Sequence, residues 1–314
     1  MSRSVWQLIN SIGPYILLWV LIVFTLEISF WLTLPLIILA SGFLIRIFII
    51  FHDCGHGSFF RSKKLNFYIG SACGILAFTP YHKWTDSHRI HHQTVGNLDK
   101  RGFGDVWTLT VDEYLALSPF KRFSYRFFRH PLVLLGIGGI AIFMVGHRFS
   151  TKIMTKKQRL NVYATNAIML ASAVIVSYFI GWQEFLLIQL PVMYLASVGG
   201  IYLFYLQHQY DDVIWRRQED WNYKDMALHG SSFFKLPGIL RWFTGNIGFH
   251  HVHHLGPTIP NYNLPKCHEE NPIFQEVEPI TFFQSFHSLS LRFWDETNQR
   301  VIGLKELRKR KMAL

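Results

Sequence analysis

Four long apolar runs limit what this chain can fold into. They cover residues 13–30, 31–51, 161–181 and 184–206. A helix needs about 20 mostly apolar residues to cross the hydrocarbon core of a bilayer. Inside that core each backbone N–H and C=O must be bonded within the protein, so each run is expected to be helical. The sequence therefore predicts an all-α, polytopic membrane protein with four transmembrane helices.

The charged residues agree with this class. They make up 16% of the chain, against roughly 25% in soluble domains. The net charge of +11 is compatible with nucleic-acid binding, but the Lys and Arg residues cluster beside the apolar runs. We therefore interpret them as contacts with a membrane surface and expect no nucleic-acid partner.

The cysteines and the amino terminus each argue against another interpretation of the chain. The three cysteines, Cys54, Cys73 and Cys267, form no CxxC pair, which argues against a disulfide framework or a zinc ribbon. The amino terminus, Met1–Ser4 followed by an apolar run, has the order of a signal peptide. A second apolar run follows without a small-x-small cleavage site, so the first run is expected to remain as a span.

The four runs are predicted to form two hairpins. The first joint, around Glu27 to Thr33, leaves room only for a tight turn. The second joint, Gly181–Glu184, lies in a stretch without Lys or Arg between Arg159 and Arg216. Because cytoplasmic loops carry the excess of Lys and Arg, this joint is expected on the outside.

Two shorter apolar runs are predicted not to cross. Residues 66–81 are too few for a full span, and residues 131–147 have basic residues at both ends. We interpret both as interfacial or re-entrant helices. The chain is then a single domain, 1–314, whose His-rich regions 52–130 and 207–314 lie on the cytoplasmic side of the cell membrane.

Three histidine clusters lie in those cytoplasmic regions. Their members are His52 and His56, then His88, His91 and His92, then His250, His253 and His254. Residues spaced i, i+3 and i+4 share one face of a helix, so each cluster can converge on a point. One cluster suggests a single metal ion, whereas three suggest a pair of ions in a shared cage.

The ligand type favours iron. Structural zinc sites prefer cysteine-containing tetrahedra, and no cysteine pair occurs here. An imidazole cage suits a first-row metal that takes five or six ligands and keeps one position open, and iron fits such a site when the chemistry uses dioxygen.

The sequence resembles the membrane fatty-acid desaturase family. The motifs are HDCGH, HRIHH and HHVHH, at residues 52–56, 88–92 and 250–254, and the resemblance covers nearly the whole chain. Within the family it is similar to bacterial acyl-lipid desaturases of the Bacillus delta-5 type. Further similar stretches are Phe51–Cys54, Asn97–Gly102, Gly245–Gly248 and Pro260–Tyr262. Gly55 departs from the bulkier residue of relatives without removing a ligand.

The resemblance implies a non-haem di-iron enzyme. Such an enzyme uses dioxygen and two electrons to introduce a cis double bond into the acyl chains of membrane phospholipids. Carried over by position, the two Fe ions would be bound by the eight clustered histidines and by His208, which follows the last span. The implied set is His52, His56, His88, His91, His92, His208, His250, His253 and His254.

Three neighbours of the clusters have two interpretations each. Asp53 is predicted either to orient a ligand imidazole through its second nitrogen or to be a charge at a helix end. Asn246 is predicted either to hold a metal-bound water or to cap a helix. His251 lies between ligand positions and is expected to face away from the metals. The remaining histidines are interpreted as interfacial or packing residues; they are His82, His130, His147, His229, His268 and His287.

A lipid-oxidising enzyme of another kind and a metal transporter are the alternative functions. A lipid hydroxylase or ketolase would use the same histidine scaffold, and product analysis separates it from a desaturase. A metal transporter would hold its site near the membrane midplane, whereas these histidines lie at the cytoplasmic ends of spans. No fused electron-donor domain is visible, so the basic cytoplasmic face, including Lys100 and Arg101, favours an acidic ferredoxin or flavodoxin as donor.

Overall fold

The computed structural model describes residues 2–102 and 106–313, with side chains up to Lys309. The ends of the predicted domain 1–314, and residues 103–105 within it, lie outside the described residues. The fold is predominantly helical. The long helices are α1 (Ser2–Leu26), α2 (Phe30–His56), α8 (Lys156–Ile180) and α9 (Trp182–His208). A fifth helical segment is α7 (Pro131–Arg148). Judged by length and composition alone, all five are long and apolar enough to cross a membrane.

Shorter elements complete the described part of the chain. The helices are α3 (Lys63–Leu76), α4 (Tyr81–Thr94), α5 (Val111–Ala116), α6 (Pro119–Phe128), α10 (Tyr223–His229), α11 (Gly238–Phe243), α12 (His250–Leu255), α13 (Leu264–Glu270), α14 (Pro272–Gln275), α15 (Ser285–Ser288) and α16 (Leu304–Ala313). The strands are β1 (Leu109–Thr110), β2 (Phe233–Lys235), β3 (Pro279–Thr281), β4 (Leu291–Asp295) and β5 (Arg300–Gly303).

The strands correct the prediction of an all-α protein in one respect. β4 pairs with β1 in parallel and with β5 antiparallel, and β2 pairs with β3 in parallel. Two small sheets therefore lie beside the helices. Strands of two to five residues are too short to show a clear alternation of apolar and polar residues, and this is why the sequence pattern missed them.

Helix α1 begins well before the apolar run that predicted it. Its first turns carry polar residues that are buried against other elements. Ser4 Oγ donates to the Phe59 carbonyl at 2.7 Å, and Gln7 Nε2 donates to Asn261 Oδ1 at 3.0 Å. Polar contacts therefore extend the helix beyond the segment that hydropathy marks.

Helix α2 is the centre of the apolar core. It begins at the cap of Ser29, whose Oγ accepts a hydrogen bond from Trp31 N at 3.2 Å. It packs against α1, α3 and α9, and Ile47 and Ile50 on its inner face are fully buried. A Cβ at Gly70 of α3 would lie 2.8 Å from Cys54 Cβ. This close approach fixes α3 against the end of α2 that carries His52.

Helix α7 is irregular. It is α-helical at Pro131–Val133, π-helical at Leu134–Gly138 and Ala141–Val145, and 3-10 helical at Gly146–Arg148. It packs closely on α9, because a Cβ at Gly139 would lie 2.8 Å from the Ser197 carbonyl oxygen. π-Helical turns are uncommon in helices and occur often beside functional sites.

Candidate metal centre

The first two histidines lie on the last turn of α2. His52 and His56 are four residues apart, so both face the same side of the helix. The helix ends directly after them at Gly57, whose φ of 71° is the left-handed conformation that glycine adopts without strain. The chain therefore turns away immediately beyond the second imidazole.

Helices α4 and α12 each carry three more of the candidate ligand histidines. His88, His91 and His92 lie on the last two turns of α4, and α12 contains little besides its histidines. The third cluster is completely enclosed: His250, His253 and His254 are each at most 2% exposed. His208 is the last residue of α9. Four helices thus end or begin at one place.

The nine imidazoles form two groups. Within each group the nitrogen atoms that can bind a metal lie within 4.8 Å of one another. The first group contains His52, His56, His88, His92 and His253. The second group contains His91, His208, His250 and His254. Helices α4 and α12 contribute to both groups, so neither group can shift independently of the other.

The spacing inside the groups fits metal coordination. The Nε2 atoms of His88 and His52 are 3.0 Å apart, and so are those of His91 and His208. Metal–imidazole bonds are about 2.0–2.1 Å in zinc sites, so two ligands at right angles on one metal would be about 3.0 Å apart. His56 Nε2 is buried and has no hydrogen-bond partner among the described residues. Both observations fit imidazoles that point at an ion.

Burial also keeps these imidazoles neutral. For five of the cage histidines on α4 and α12 the pKa lies well below the ordinary value of imidazole. Burial disfavours the charged form, and nearby imidazoles add to the effect. These residues are His88, His92, His250, His253 and His254. A neutral imidazole has the free lone pair that a metal ion needs.

Two ligand candidates are held through their second nitrogen. His52 Nδ1 lies 3.1 Å from Asp53 Oδ1, and His208 Nδ1 lies 3.0 Å from the Gly230 carbonyl oxygen. Contacts of this kind fix the orientation of a metal-binding imidazole and the nitrogen that carries its proton. The contact of Asp53 matches the first of its two interpretations.

Asn246 and His251 lie outside the two groups. The Asn246 side chain donates to the Asn261 carbonyl oxygen at 3.1 Å, and its φ of 58° places it in a tight turn before α12. His251 Nε2 lies 3.1 Å from His268 Nδ1. Asn246 is not the cap of α12, whose N-cap residue is Phe249, and its role with a metal-bound water stays a prediction. His251 lies against His268, outside both groups.

Three neighbours of the cage were not singled out from the sequence. Asn261 donates to Asp53 Oδ2 through both its backbone N, at 2.7 Å, and its side-chain Nδ2, at 2.8 Å. The Trp84 ring stacks on His88 with centroids 4.3 Å apart. The Tyr223 hydroxyl donates to the His254 carbonyl at 2.5 Å. Of the three, only Asn261 could have been found from the sequence, because it lies in the Pro260–Tyr262 stretch that resembles the family.

An apolar cavity of about 260 Å³ adjoins both groups. His52, His88, His91 and His250 form its wall on the cage side. Residues from α2, α7 and α9 form most of the remainder, including Phe48, Phe143, His147, Met193 and Ser197. An apolar ligand is the kind that such a lining binds. The arrangement can therefore hold a hydrocarbon segment against a metal pair.

The basic residues near the second cluster are mostly ion-paired. Arg101 contacts Glu113 with a nitrogen–oxygen distance of 2.5 Å, and Arg217 contacts Asp99 and Glu296 at 2.8 Å each. Lys100, by contrast, is exposed. Much of the positive charge predicted to face an acidic partner is thus already balanced inside the protein.

Comparisons with known proteins show the family to which this chain is similar. The family described as "Fatty acid desaturase" matches residues 29–284. A protein of Bacillus subtilis named "Fatty acid desaturase" is 44% identical over 307 residues, which are 98% of this chain and 87% of that protein. The "sn-1 acyl-lipid omega-3 desaturase (ferredoxin)" of Synechocystis is 30% identical over 82% of this chain and 74% of its own length. The protein of the same name from Nostoc is 28% identical over 86% and 78%.

Proposed function

This chain belongs to the fatty acid desaturase family, and we propose that it is an O2-dependent, non-haem di-iron acyl-lipid desaturase. It would introduce a cis double bond into the acyl chains of membrane phospholipids. The observation that carries the proposal is the meeting of nine imidazoles, in two groups, at one wall of an apolar cavity. A hydrocarbon chain in that cavity would lie directly against the metals.

The two groups are the proposed ligand sets of two iron ions. One ion would be held by His52, His56, His88, His92 and His253, and the other by His91, His208, His250 and His254. When bound, a di-iron centre supplies the activation of dioxygen that removes hydrogen from an unactivated C–H bond. Imidazole ligands are neutral, so they leave positive charge on the metals.

The protein itself orients the substrate and excludes water. Aromatic and aliphatic side chains such as Phe48, Phe143 and Met193 would keep the acyl chain dry beside the cage. Asp53 would hold the His52 ring in place by its contact with Nδ1. The carbon at which the double bond forms would depend on how far the chain enters the cavity.

For that position we propose carbon 5. The support is the similarity of the histidine motifs and their neighbours to desaturases of the delta-5 type. The relatives from Synechocystis and Nostoc are named omega-3 desaturases, and the name of the Bacillus subtilis relative gives no position. Product mapping is therefore the decisive measurement.

We further propose four transmembrane helices, α1, α2, α8 and α9, with the cage on the cytoplasmic side of the cell membrane. In this topology α7 does not cross the bilayer. The support is that both of its flanks are bonded to the cage side of the protein. Arg129 Nη2 donates to the Leu291 carbonyl at 3.2 Å before α7, and Lys83 Nζ donates to the Gly146 and Phe149 carbonyls at 2.7 and 2.9 Å at its end.

The proposed electron donor is a soluble ferredoxin or flavodoxin. Two relatives carry ferredoxin in their names, and the chain has a net charge of +11, which favours an acidic carrier. Since Arg101 and Arg217 are ion-paired, the exposed Lys100 is the better candidate for a docking contact.

The experiment is expression in a host whose phospholipids are all saturated, followed by mass-spectrometric mapping of the acyl products. The wild-type protein is expected to produce cis-monounsaturated chains, whereas His91→Ala should produce none. His229→Ala is the matched control, because His229 is exposed and lies outside both groups. Unsaturated product from His91→Ala, or hydroxylated chains from the wild type, would contradict the proposal.

A further inference from the structure

Helix α6 has one apolar face that the protein does not cover. Phe120, Phe123, Phe127 and Phe128 are between 47% and 76% exposed. Residues three, four, seven and eight apart share a side of a helix, so these four rings form one face. On the opposite side Tyr125 is fully buried, and its hydroxyl donates to the Arg292 carbonyl at 2.5 Å. The helix is therefore held rigidly with its aromatic face outward.

A basic cavity of about 270 Å³ lies beside this helix. Arg122 and Arg126 of α6 and Arg308 of α16 line it together with apolar side chains such as Leu115 and Leu307. No Asp or Glu is among its lining residues in the described part of the chain. Three arginine side chains thus border one space, and no carboxylate lines it in the described part of the chain.

Arg122 is held in place beside this space, and not all of its donors are used. Its Nη2 donates to the Leu115 carbonyl, which fixes the guanidinium in place. Its Nε is buried and has no hydrogen-bond partner within the described residues. Guanidinium forks bind phosphate oxygens in a bidentate manner, with planar geometry that lysine does not offer.

We propose that this cavity binds the phosphate of an anionic membrane phospholipid. The phosphate would lie among Arg122, Arg126 and Arg308, while the phenylalanine face of α6 lies among the acyl chains next to it. Helices with basic residues on one side and aromatic residues on the other lie in the plane of the bilayer interface. A free phosphate ion would account for the arginines but not for the exposed rings.

The position of α6 gives the bound lipid a structural role. Two residues separate the end of α6 from α7, which lines the apolar cavity next to the cage. A lipid held at α6 would fix the depth at which α7 enters the bilayer. This inference concerns a lipid outside the catalytic cavity, so it stands apart from the proposed desaturation.

The test measures thermal unfolding of the full chain in a neutral detergent. The protein is titrated with phosphatidylglycerol, phosphatidylcholine or inorganic phosphate. Phosphatidylglycerol is expected to raise the unfolding temperature saturably, and the other two to have much smaller effects. In Arg126→Gln/Arg308→Gln the apparent affinity for phosphatidylglycerol should fall by at least about tenfold, since two charged partners of the phosphate are lost.

Lys121→Gln is the matched control, because Lys121 is an exposed cation of the same helix that does not line the cavity. It should bind phosphatidylglycerol as the wild type does. Arg122→Gln is a further variant. It also loses the hydrogen bond to the Leu115 carbonyl, so its unfolding temperature without lipid is measured first to show how much stability that loss removes. Equal effects of phosphatidylglycerol and phosphatidylcholine, an equal effect of inorganic phosphate, or an equal loss in Lys121→Gln would each overturn the proposal.

Discussion

Asp53 and Asn261 are 208 residues apart in the chain, yet they share two hydrogen bonds. The Asp53 Oδ2 atom accepts from the backbone N of Asn261 at 2.7 Å and from its Nδ2 at 2.8 Å. The other carboxylate oxygen, Oδ1, lies 3.1 Å from His52 Nδ1. The turn that follows the third histidine cluster therefore fixes a residue beside the first cluster, and so links α2 to α12.

The first prediction concerns this link. Asp53→Asn removes the negative charge and turns an amide N–H toward groups that are themselves donors. We expect iron affinity, measured by competition with a chelator, to fall by about 10–100-fold, the usual effect of losing a contact that orients a metal ligand. Activity at saturating iron should fall less than the affinity does.

Asp112→Asn provides the control, because Asp112 is an exposed carboxylate in the first turn of α5. It should leave iron affinity unchanged. If Asp53→Asn bound iron as tightly as the wild type, the contact with His52 would have no role in holding the metal.

The second prediction separates two histidines of one motif. His253→Ala should abolish desaturation and lower the iron content, because His253 belongs to the first group of ligands. His251→Ala should retain iron and most of its activity per folded molecule. His251 is fully buried and contacts His268, so its replacement should instead lower the free energy of unfolding by roughly 0.5–3 kcal/mol.

The measurements are iron content, turnover and thermal unfolding of both variants in the same detergent. If His251→Ala were inactive and iron-depleted but stable, His251 would be a metal ligand and the ligands proposed for the third cluster would be wrong. Normal turnover by His253→Ala would remove the basis of the proposed cage.

The residues of the candidate site could be predicted because their spacing is local. His88, His91 and His92 share a helix face through their positions in the sequence alone, and the structure brings them together with the other two clusters. His208 has no such spacing, and only the resemblance to a family pointed to it. Apolar run length predicted four long helices in the same way, since it depends on neighbouring residues.

Features that depend on distant parts of the chain could not be predicted. The start of α1 at Ser2 depends on contacts of Ser4 with Phe59 and of Gln7 with Asn261. The ion pair of Arg101 with Glu113 joins the segment after α4 to the capping box of α5. None of these partners is marked by hydropathy, because each contact forms only after the helices have packed.

The third prediction concerns the membrane topology. A reporter fused near Lys156 should be scored as cytoplasmic, and one at Trp182 as external, because α8 would cross the bilayer between them. A reporter within residues 149–152 should also be scored as cytoplasmic, since Lys83 of α4 is bonded to Gly146 and Phe149. An external signal at Lys156 would require α7 to be a full span.

The fourth prediction concerns the approach of the electron donor. Exposed charges mainly raise the rate of association, and salt screens them over about 8 Å at physiological ionic strength. Turnover with an acidic ferredoxin should therefore fall as salt rises, through weaker docking. Lys100→Glu should reproduce this loss at low salt without removing iron, because Lys100 is exposed and close in sequence to the second histidine cluster.

Arg101 and Lys305 separate docking from other effects. Arg101→Glu should also lower the unfolding temperature, because Arg101 is ion-paired with Glu113 and donates to the Thr108 carbonyl at 2.8 Å. Lys305→Glu changes the net charge equally at an exposed position on α16 and should leave the dependence on ferredoxin concentration unchanged. If Lys100→Glu and Lys305→Glu slowed turnover to the same extent, the donor would respond to net charge alone. If neither the salt nor Lys100→Glu slowed it, the basic surface would serve only the membrane.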